Sequence, residues 1–521
     1  MNVILRNTAL AVQIQNCYFA TIQFLAYETV SFESRTTVSE ITVSEINMLY
    51  ERLAEALRTQ ISQGVYPTGG RLHSVREQSR LHSVSQSTVV LAYQQLEAEG
   101  LIEARPQSGF YVRERSTNRS CPETTLPKPR TRPLSVNVGQ HIMQVVDACR
   151  DPQLIHFSTA SPSADLLPVA SFNRALTQAM RNDPTHFARY ESRLGNPLLR
   201  QHIARLSLEA GIEVSSDDII VTNGCQEALS LALRAVANSG DVIAVESPTY
   251  YGILQAIERY GMKVLEIPTH ARDGISIEAL RFAMDQWPIK AVVAMPTYSN
   301  PIGSTMPESN KQALMQLLNE RDVALIEDDV HAEFCGVNQR PKAVKHYDTQ
   351  ARVLLCSSFS KTIAPGLRVG WILPGSHYFD RVAQLKYITT LATAGLQQAA
   401  LAEFLSHGAY SRHVKQLKRT YRTQQQRMSE AIAHYFPVGT KAAIPDGGTV
   451  SWIELPNKIS SWKLFELALQ HGISIVPGSL FSTQKKYEHF IRLCWGGAWT
   501  ARTEQALRKL GQLIEQLQHN P

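Results

Sequence analysis

Residues 353–371 read VLLCSSFSKTIAPGLRVGW, and this stretch decides the fold. Its first part is apolar without alternation, as expected of a strand buried on both faces. The run ends in three serines, one amine at Lys361 and, after a Pro-Gly break, one guanidinium at Arg368. Three more runs have the same form: DVIAVES (241–247), KAVVAMP (290–296) and VALIEDD (323–329). Helical periods separate them. From about residue 140 onward the chain therefore reads as an α/β domain, a mostly parallel sheet with helices on both sides. Ligands of such sheets sit beyond the carboxyl ends of the strands. ESPTYYG, PTYSNPIG, EDDVH and SSFSK all follow strands, so the chemistry belongs there.

An amine at a strand end can form a Schiff base with an aldehyde. Taken alone, Lys361 is an ordinary surface lysine. Ser358, Ser360 and Arg368 beside it are suited to holding a phosphate. TNGCQEALSLAL (222–233) offers a second phosphate device. Gly224 permits close backbone approach, and the helix that follows points free N–H groups and its dipole at an anion. Asp328 ends a buried strand, where a carboxylate needs a partner. That partner is a helix cap, an ion pair, or a protonated ring nitrogen that makes the ring an electron sink. Asn300 suits a ring hydroxyl or an Asn-Pro turn. Tyr250 suits a stacked ring or plain core packing. A phosphate, an aldehyde, a ring nitrogen and a flat face together describe pyridoxal 5'-phosphate.

With these motifs assembled, residues 158–518 resemble the fold-type I aminotransferases. SFSKTIAPGLRVGW is similar to their lysine signature. The resemblance implies that Lys361 holds the cofactor, with Ser358, Ser360 and Arg368 on the phosphate and Asp328 on the pyridine nitrogen. Asp329 is the rival for that nitrogen; the register of the motif favours Asp328. NGCQEAL matches the family's Gly-Ser-Gln phosphate turn, with Gly224 and Gln226 kept and Cys225 in place of serine. Tyr250 and Asn300 match the stacking and ring-hydroxyl positions. Tyr190, ahead of Gly195, matches a tyrosine that reaches the neighbouring subunit's phosphate, which implies a dimer. Arg492 in FIRLCW resembles the arginine that grips a substrate carboxylate. Where the family carries a tyrosine soon after EDD, this chain has Val330 and His331.

The N-terminal part follows another rule. Leu49, Leu53, Leu57 and Ile61 recur every four residues, and Gly64 stops the run. SVRE (74–77) is a capping box that opens a second helix. Ser85 caps a third, with Val89, Ala92, Tyr93 and Leu96 on its apolar face. LIEARPQSGFYV (101–112) reads as two strands around a turn. Three short helices and a hairpin make a winged helix-turn-helix, and its sequence resembles the GntR type. By that resemblance Arg71 and Arg76 face phosphates and groove. Ser85, Gln86, Ser87 and Thr88 open the recognition helix. Gly109 marks the wing tip. Gln86 stands where many relatives have arginine, and Gln pairs bidentately with adenine. Residues 49–115 carry eight arginines, no lysine and seven glutamates, so DNA affinity depends on where the charges sit.

The domains expected are thus 48–115, a winged helix; 116–139, a basic Pro-rich linker; and 140–521, the aminotransferase-like domain. Residues 1–47 hold an interrupted apolar stretch and the tandem TVSEI repeat (37–41 and 42–46), and are read as an extension without assigned role. That stretch is too broken for a membrane span. Seven dispersed cysteines suit a reducing cytoplasm. His331 and Cys335 share a helical spacing, but without a second pair no metal site is expected. A GntR-type reader joined to an aminotransferase-like domain is the layout of the MocR family of regulators. This resemblance implies a head-to-tail homodimer on double-stranded DNA, regulated by an amine or amino-acid effector or by the cofactor itself. The alternative reading is a working aminotransferase.

Overall fold

The structure is a computed structural model and describes residues 43–98, 101–105, 108–112, 124, 132–134, 139–334, 340–443, 445, 447–484 and 486–519. It divides into two units, Met1–Arg115 and Ser116–Pro521.

The first unit runs α1 (Val43–Ser62), α2 (Val75–Leu81), α3 (Gln86–Ala98), β1 (Ile102–Arg105) and β2 (Gly109–Val112). Its core is the one the four-residue period predicts. Leu53 and Leu57 of α1 meet Val89, Ala92, Tyr93 and Leu96 of α3, closed by Ile102 and Val112 of the hairpin. Each of the buried Leu, Ile and Val side chains contributes about 1.5–3 kcal/mol by leaving water. The Tyr93 hydroxyl donates to the His73 carbonyl at 2.7 Å, so its polar end is satisfied inside the core. Ser74 caps α2 by accepting the Glu77 N–H at 3.3 Å. β1 and β2 pair antiparallel with Arg105 opposite Gly109. α1 begins at Val43, five residues ahead of the expected start of the winged helix at 48.

Most of 116–139 lies outside the described residues, as do 1–42, Arg113, Arg115 and Cys335. Leu134 is described, and it exchanges two backbone hydrogen bonds with Val264, at 2.8 and 2.9 Å. The end of the expected linker is therefore fixed to the second unit.

That unit is built on an eight-stranded sheet of order β4-β11-β10-β9-β8-β5-β6-β7. The strands are β4 (Ile220–Thr222), β5 (Val242–Ser247), β6 (Lys263–His270), β7 (Gly274–Ile275), β8 (Ile289–Ala294), β9 (Ala324–Asp328), β10 (Val353–Ser358) and β11 (Gly370–Leu373). β6, β5, β8, β9 and β10 are parallel, and β11 runs antiparallel between β10 and β4. The apolar runs split with a period of two. In β5, Ile243 and Val245 enter one core while Val242 and Ala244 enter the other. In β8, Ala291 and Val293 oppose Val292 and Ala294 in the same way. Both faces are covered, which is why these strands read as unbroken apolar runs.

Two smaller sheets complete the unit: β3 (Ile155–His156) beside β14 (Ile473–Ser474), and β12 (Lys441–Ala442), β13 (Val450–Glu454), β16 (Phe490–Cys494) and β15 (Val476–Pro477), in that order. The residues after β3, and β16 itself, bring Ser158, Ser161 and Arg492 to the carboxyl end of the large sheet. No described helix is long and apolar enough to cross a membrane.

Candidate functional site

The strand ends open into one cavity of about 530 Å³. β9 delivers Asp328, the end of β10 delivers Ser358, the loop after it delivers Ser360, Lys361 and Arg368, and β16 delivers Arg492. Cys225 and Gln226 come from the start of the helix Cys225–Val236. Tyr250 comes from just before the helix Tyr251–Arg259, and Asn300 from the turn after β8.

Gly224 precedes the helix Cys225–Val236 at φ 84°, a left-handed conformation that favours glycine. A Cβ there would sit 2.5 Å from the Arg368 guanidinium. Arg368 in turn donates to the Asn223 carbonyl at 3.0 Å. Guanidinium and helix start are thus held together as one cationic, N–H-rich corner.

Lys361 donates to the Ser161 hydroxyl at 2.9 Å. Its pKa is lowered to about 8, chiefly by burial and also by the Arg492 charge, while Cys494 and Asp328 oppose the shift. Asp328 is 2 % exposed and accepts from the Val330 N–H at 3.2 Å and the Cys225 thiol at 3.5 Å. Burial raises its pKa to about 6 against those bonds. Burial also pushes the Cys225 thiol and the Tyr250 phenol up. Asp329 turns elsewhere: it pairs with Arg340, which also holds Glu333 at 2.9 Å, and it does not line the cavity.

Arg492, also 2 % exposed, donates to Asn300 Oδ1 at 3.0 Å and to the Ser158 carbonyl. Its guanidinium carbon lies 5.3 Å from the centre of the Phe481 ring, and its Nε has no hydrogen-bond partner among the described residues. His331 is buried in the same wall, its Nδ1 likewise without a partner among the described residues. Burial, then Lys361 and Arg492, push its pKa down to about 3, so the ring is neutral. Among the described residues no cluster of His, Cys, Asp or Glu could hold a metal.

Tyr190 lies outside this constellation, 84 % exposed on its own chain. Several cavity residues carried no signal in the sequence. Ser161 is an ordinary serine until Lys361 reaches it across the fold. Val146, Cys149 and Arg150 line the wall from the end of the helix Gly139–Ala148 and the turn after it. The place of that helix over the cavity was not readable in the sequence.

In the first unit Arg71, Arg76, Gln86 and Ser87 are exposed. Gly109 is exposed too, at φ 105°, and a Cβ on it would approach Arg71 Nε to 3.3 Å. Ser85 caps α3: its hydroxyl accepts the Thr88 N–H at 3.1 Å and sits 2.7 Å from the Ser87 hydroxyl and 2.8 Å from that of Thr88. Thr88 is only 3 % exposed. Its side chain supports the cap from inside.

Residues 154–510 match the family of aminotransferases of class I and II, and residues 49–112 match bacterial regulatory proteins of the gntR family. The uncharacterized HTH-type transcriptional regulator YdcR of Escherichia coli (strain K12) is 39 % identical over 90 % of this chain and 99 % of its own. YjiR of the same organism, described in the same words, is 37 % identical over 89 % and 98 %. Among solved structures, the alpha-aminoadipate aminotransferase LysN of Thermus thermophilus, in complex with N-(5'-phosphopyridoxyl)-L-leucine, superposes with a TM-score of 0.69. It is 25 % identical, over 74 % of this chain and 96 % of that one. The kynurenine aminotransferase of Pyrococcus horikoshii gives 0.68, at 28 % identity over 73 % and 95 %.

Proposed function

The chain belongs to the aminotransferase class I and II family and carries a gntR-family DNA-binding domain ahead of it, the MocR arrangement, and from this premise we propose that it is a transcription regulator whose DNA binding answers to an amine taken up at Lys361. The carrying observation is the pairing of the two sites in one chain. One cavity gathers Lys361, Asp328, Arg368 and Arg492, while the other unit exposes Arg71, Arg76 and Gln86.

Pyridoxal 5'-phosphate is the cofactor of this family; when bound, it supplies an aldehyde that condenses with amines and a ring that withdraws electrons. The cavity fits it. The corner of Gly224, Arg368 and the helix start, with Ser358 and Ser360, suits the phosphate. Asp328 is the carboxyl for a ring nitrogen, and burial keeps it from bulk water. Tyr250 and Asn300 serve the ring face and its hydroxyl. The lowered pKa of Lys361 leaves part of its amine unprotonated near neutrality, as a nucleophile requires. Arg492 offers an incoming amino acid a buried cation for its carboxylate.

An exposed Tyr190 suits contact with a second copy, in a head-to-tail homodimer in the cytoplasm. Two winged helices would then meet two half-sites, and occupancy of the cavities would change how they meet them. Amino-group transfer is a second reading, favoured by Lys361 and Arg492 sharing one cavity.

The test is a gel shift on the DNA upstream of the chain's own coding region, with Arg76→Ala alongside. Loss of the shifted band in the variant supports the regulator. Normal binding by Arg76→Ala would sink it. Turnover of an amino-acid and keto-acid pair would establish the second reading; failure with every such pair would remove it.

A further inference from the structure

α3 has two unlike faces. Thr88, Val89, Ala92, Tyr93 and Leu96 are buried against α1 and the hairpin. Gln86, Ser87, Val90, Leu91 and Gln94 form the exposed face, with Val90 at 37 % and Leu91 at 39 %. Between Arg80 and Glu97 the chain has no Lys, Arg, Asp or Glu. The helix that enters a major groove by its N-terminal end thus offers amides, a hydroxyl and aliphatic groups only.

This restricts which bases it can read. The commonest specific contact to guanine needs an Arg or Lys fork on O6 and N7, and a contact to the cytosine amine is best made by a carboxylate; the exposed face of α3 from Gln86 to Gln94 has neither, and the helix's one carboxylate, Glu97, lies in the last turn and accepts the Ala104 N–H at 2.9 Å. The Gln86 amide matches adenine N6 and N7, and aliphatic groups match the thymine methyl. Val90 lies one helical turn after Gln86 on the same face, so the two are neighbours. Their methyls and amide are presented side by side, to adjacent base pairs.

We infer that α3 reads an A·T-rich half-site, with Gln86 on an adenine and Val90 against a thymine methyl. Arg71, Arg76 and Arg80, all exposed and none on α3, hold phosphates and supply affinity without sequence. This inference rests on the DNA-binding reading above.

The test selects duplexes from a random pool with the full-length protein loaded with pyridoxal 5'-phosphate. The selected half-sites should carry A·T pairs. Replacing the thymine against Val90 by uracil removes only the methyl group, and should weaken the wild type about fourfold. Val90→Ala, a change at an exposed position, should keep the wild-type melting temperature and bind thymine and uracil sites equally. G·C-rich half-sites, or a wild type indifferent to uracil, would overturn the inference. So would a Val90→Ala protein that changes its oligomeric state while still telling thymine from uracil, since the face would then be a protein contact. A wild type that selects no duplex at all defeats the regulator reading, and this inference with it.

Discussion

The two units handle their polar chemistry in opposite ways. In the second unit much of the site is withdrawn from water: Asp328 and Arg492 are 2 % exposed, Asn300 7 % and Ser360 8 %, while Arg368 and Gln226 at the phosphate corner are exposed. Each must satisfy its neighbours as well as any ligand. Arg492, for instance, holds Asn300 and the Ser158 carbonyl together. In the first unit Arg71, Arg76, Gln86 and Ser87 stand in water over a mainly apolar core, in which Gln78 and Thr88 are the buried polar side chains among the described residues. A substitution in the cavity is therefore felt by the fold and the ligand alike. On the winged helix it is felt by the ligand alone.

The largest effect expected is at Lys361. Among the described residues it is the only lysine lining the cavity. Borohydride treatment of Lys361→Ala followed by mass measurement should find no retained cofactor. Retention at another lysine would move the site.

Arg492→Ala tests the coupling of cavity and fold. It leaves a void and strips Asn300 and Ser158 of a charged donor, so the second unit should lose about 3 kcal/mol. Calorimetry should find that unit's transition lowered and the first unit's unchanged. An unshifted transition would mean that the cavity contributes nothing to the stability of the fold.

A third effect is in pH. The Lys361 pKa is lowered to about 8, so the protonated form dominates below that value. Only the free amine attacks an aldehyde. The rate of cofactor uptake by the apoprotein should rise about tenfold per pH unit up to roughly 8 and then level. A rise continuing to the ordinary lysine value of 10.5 would contradict the burial of this amine.

The smallest structural effect is expected at Arg76→Ala. Its melting transitions should stay within about 0.5 kcal/mol of wild type, as for most surface changes. DNA affinity should fall by about 1–3 kcal/mol in the same variant. A loss of stability there would erase the contrast between the two units.

The same contrast decided what could be read in the sequence. β5, β8, β9 and β10 were legible because burial on both faces leaves unbroken apolar runs. The core of α1 and α3 was legible because one covered face leaves a helical period. Lys361, Asp328 and Arg368 were legible because strand ends gather polar groups at fixed spacings. Partners brought by tertiary folding were not: Ser161 lies 200 residues from Lys361, and Asn300 lies 192 from Arg492. Strands of two residues, such as β7, β12 and β15, are too short to show a pattern. The burial of Thr88 was not legible because a threonine at a helix start serves a cap or a base equally well. Only the position of Ser85 beneath it turns that side chain inward.

The central claim is that the cavity governs the winged helix. The most direct test is a gel shift on the upstream DNA with pyridoxal 5'-phosphate present and then removed, with Lys361→Ala as the control. The account predicts that wild-type binding changes with the cofactor and that the variant ignores it. Wild-type binding that is the same in both states, or a variant that responds as the wild type does, would contradict it.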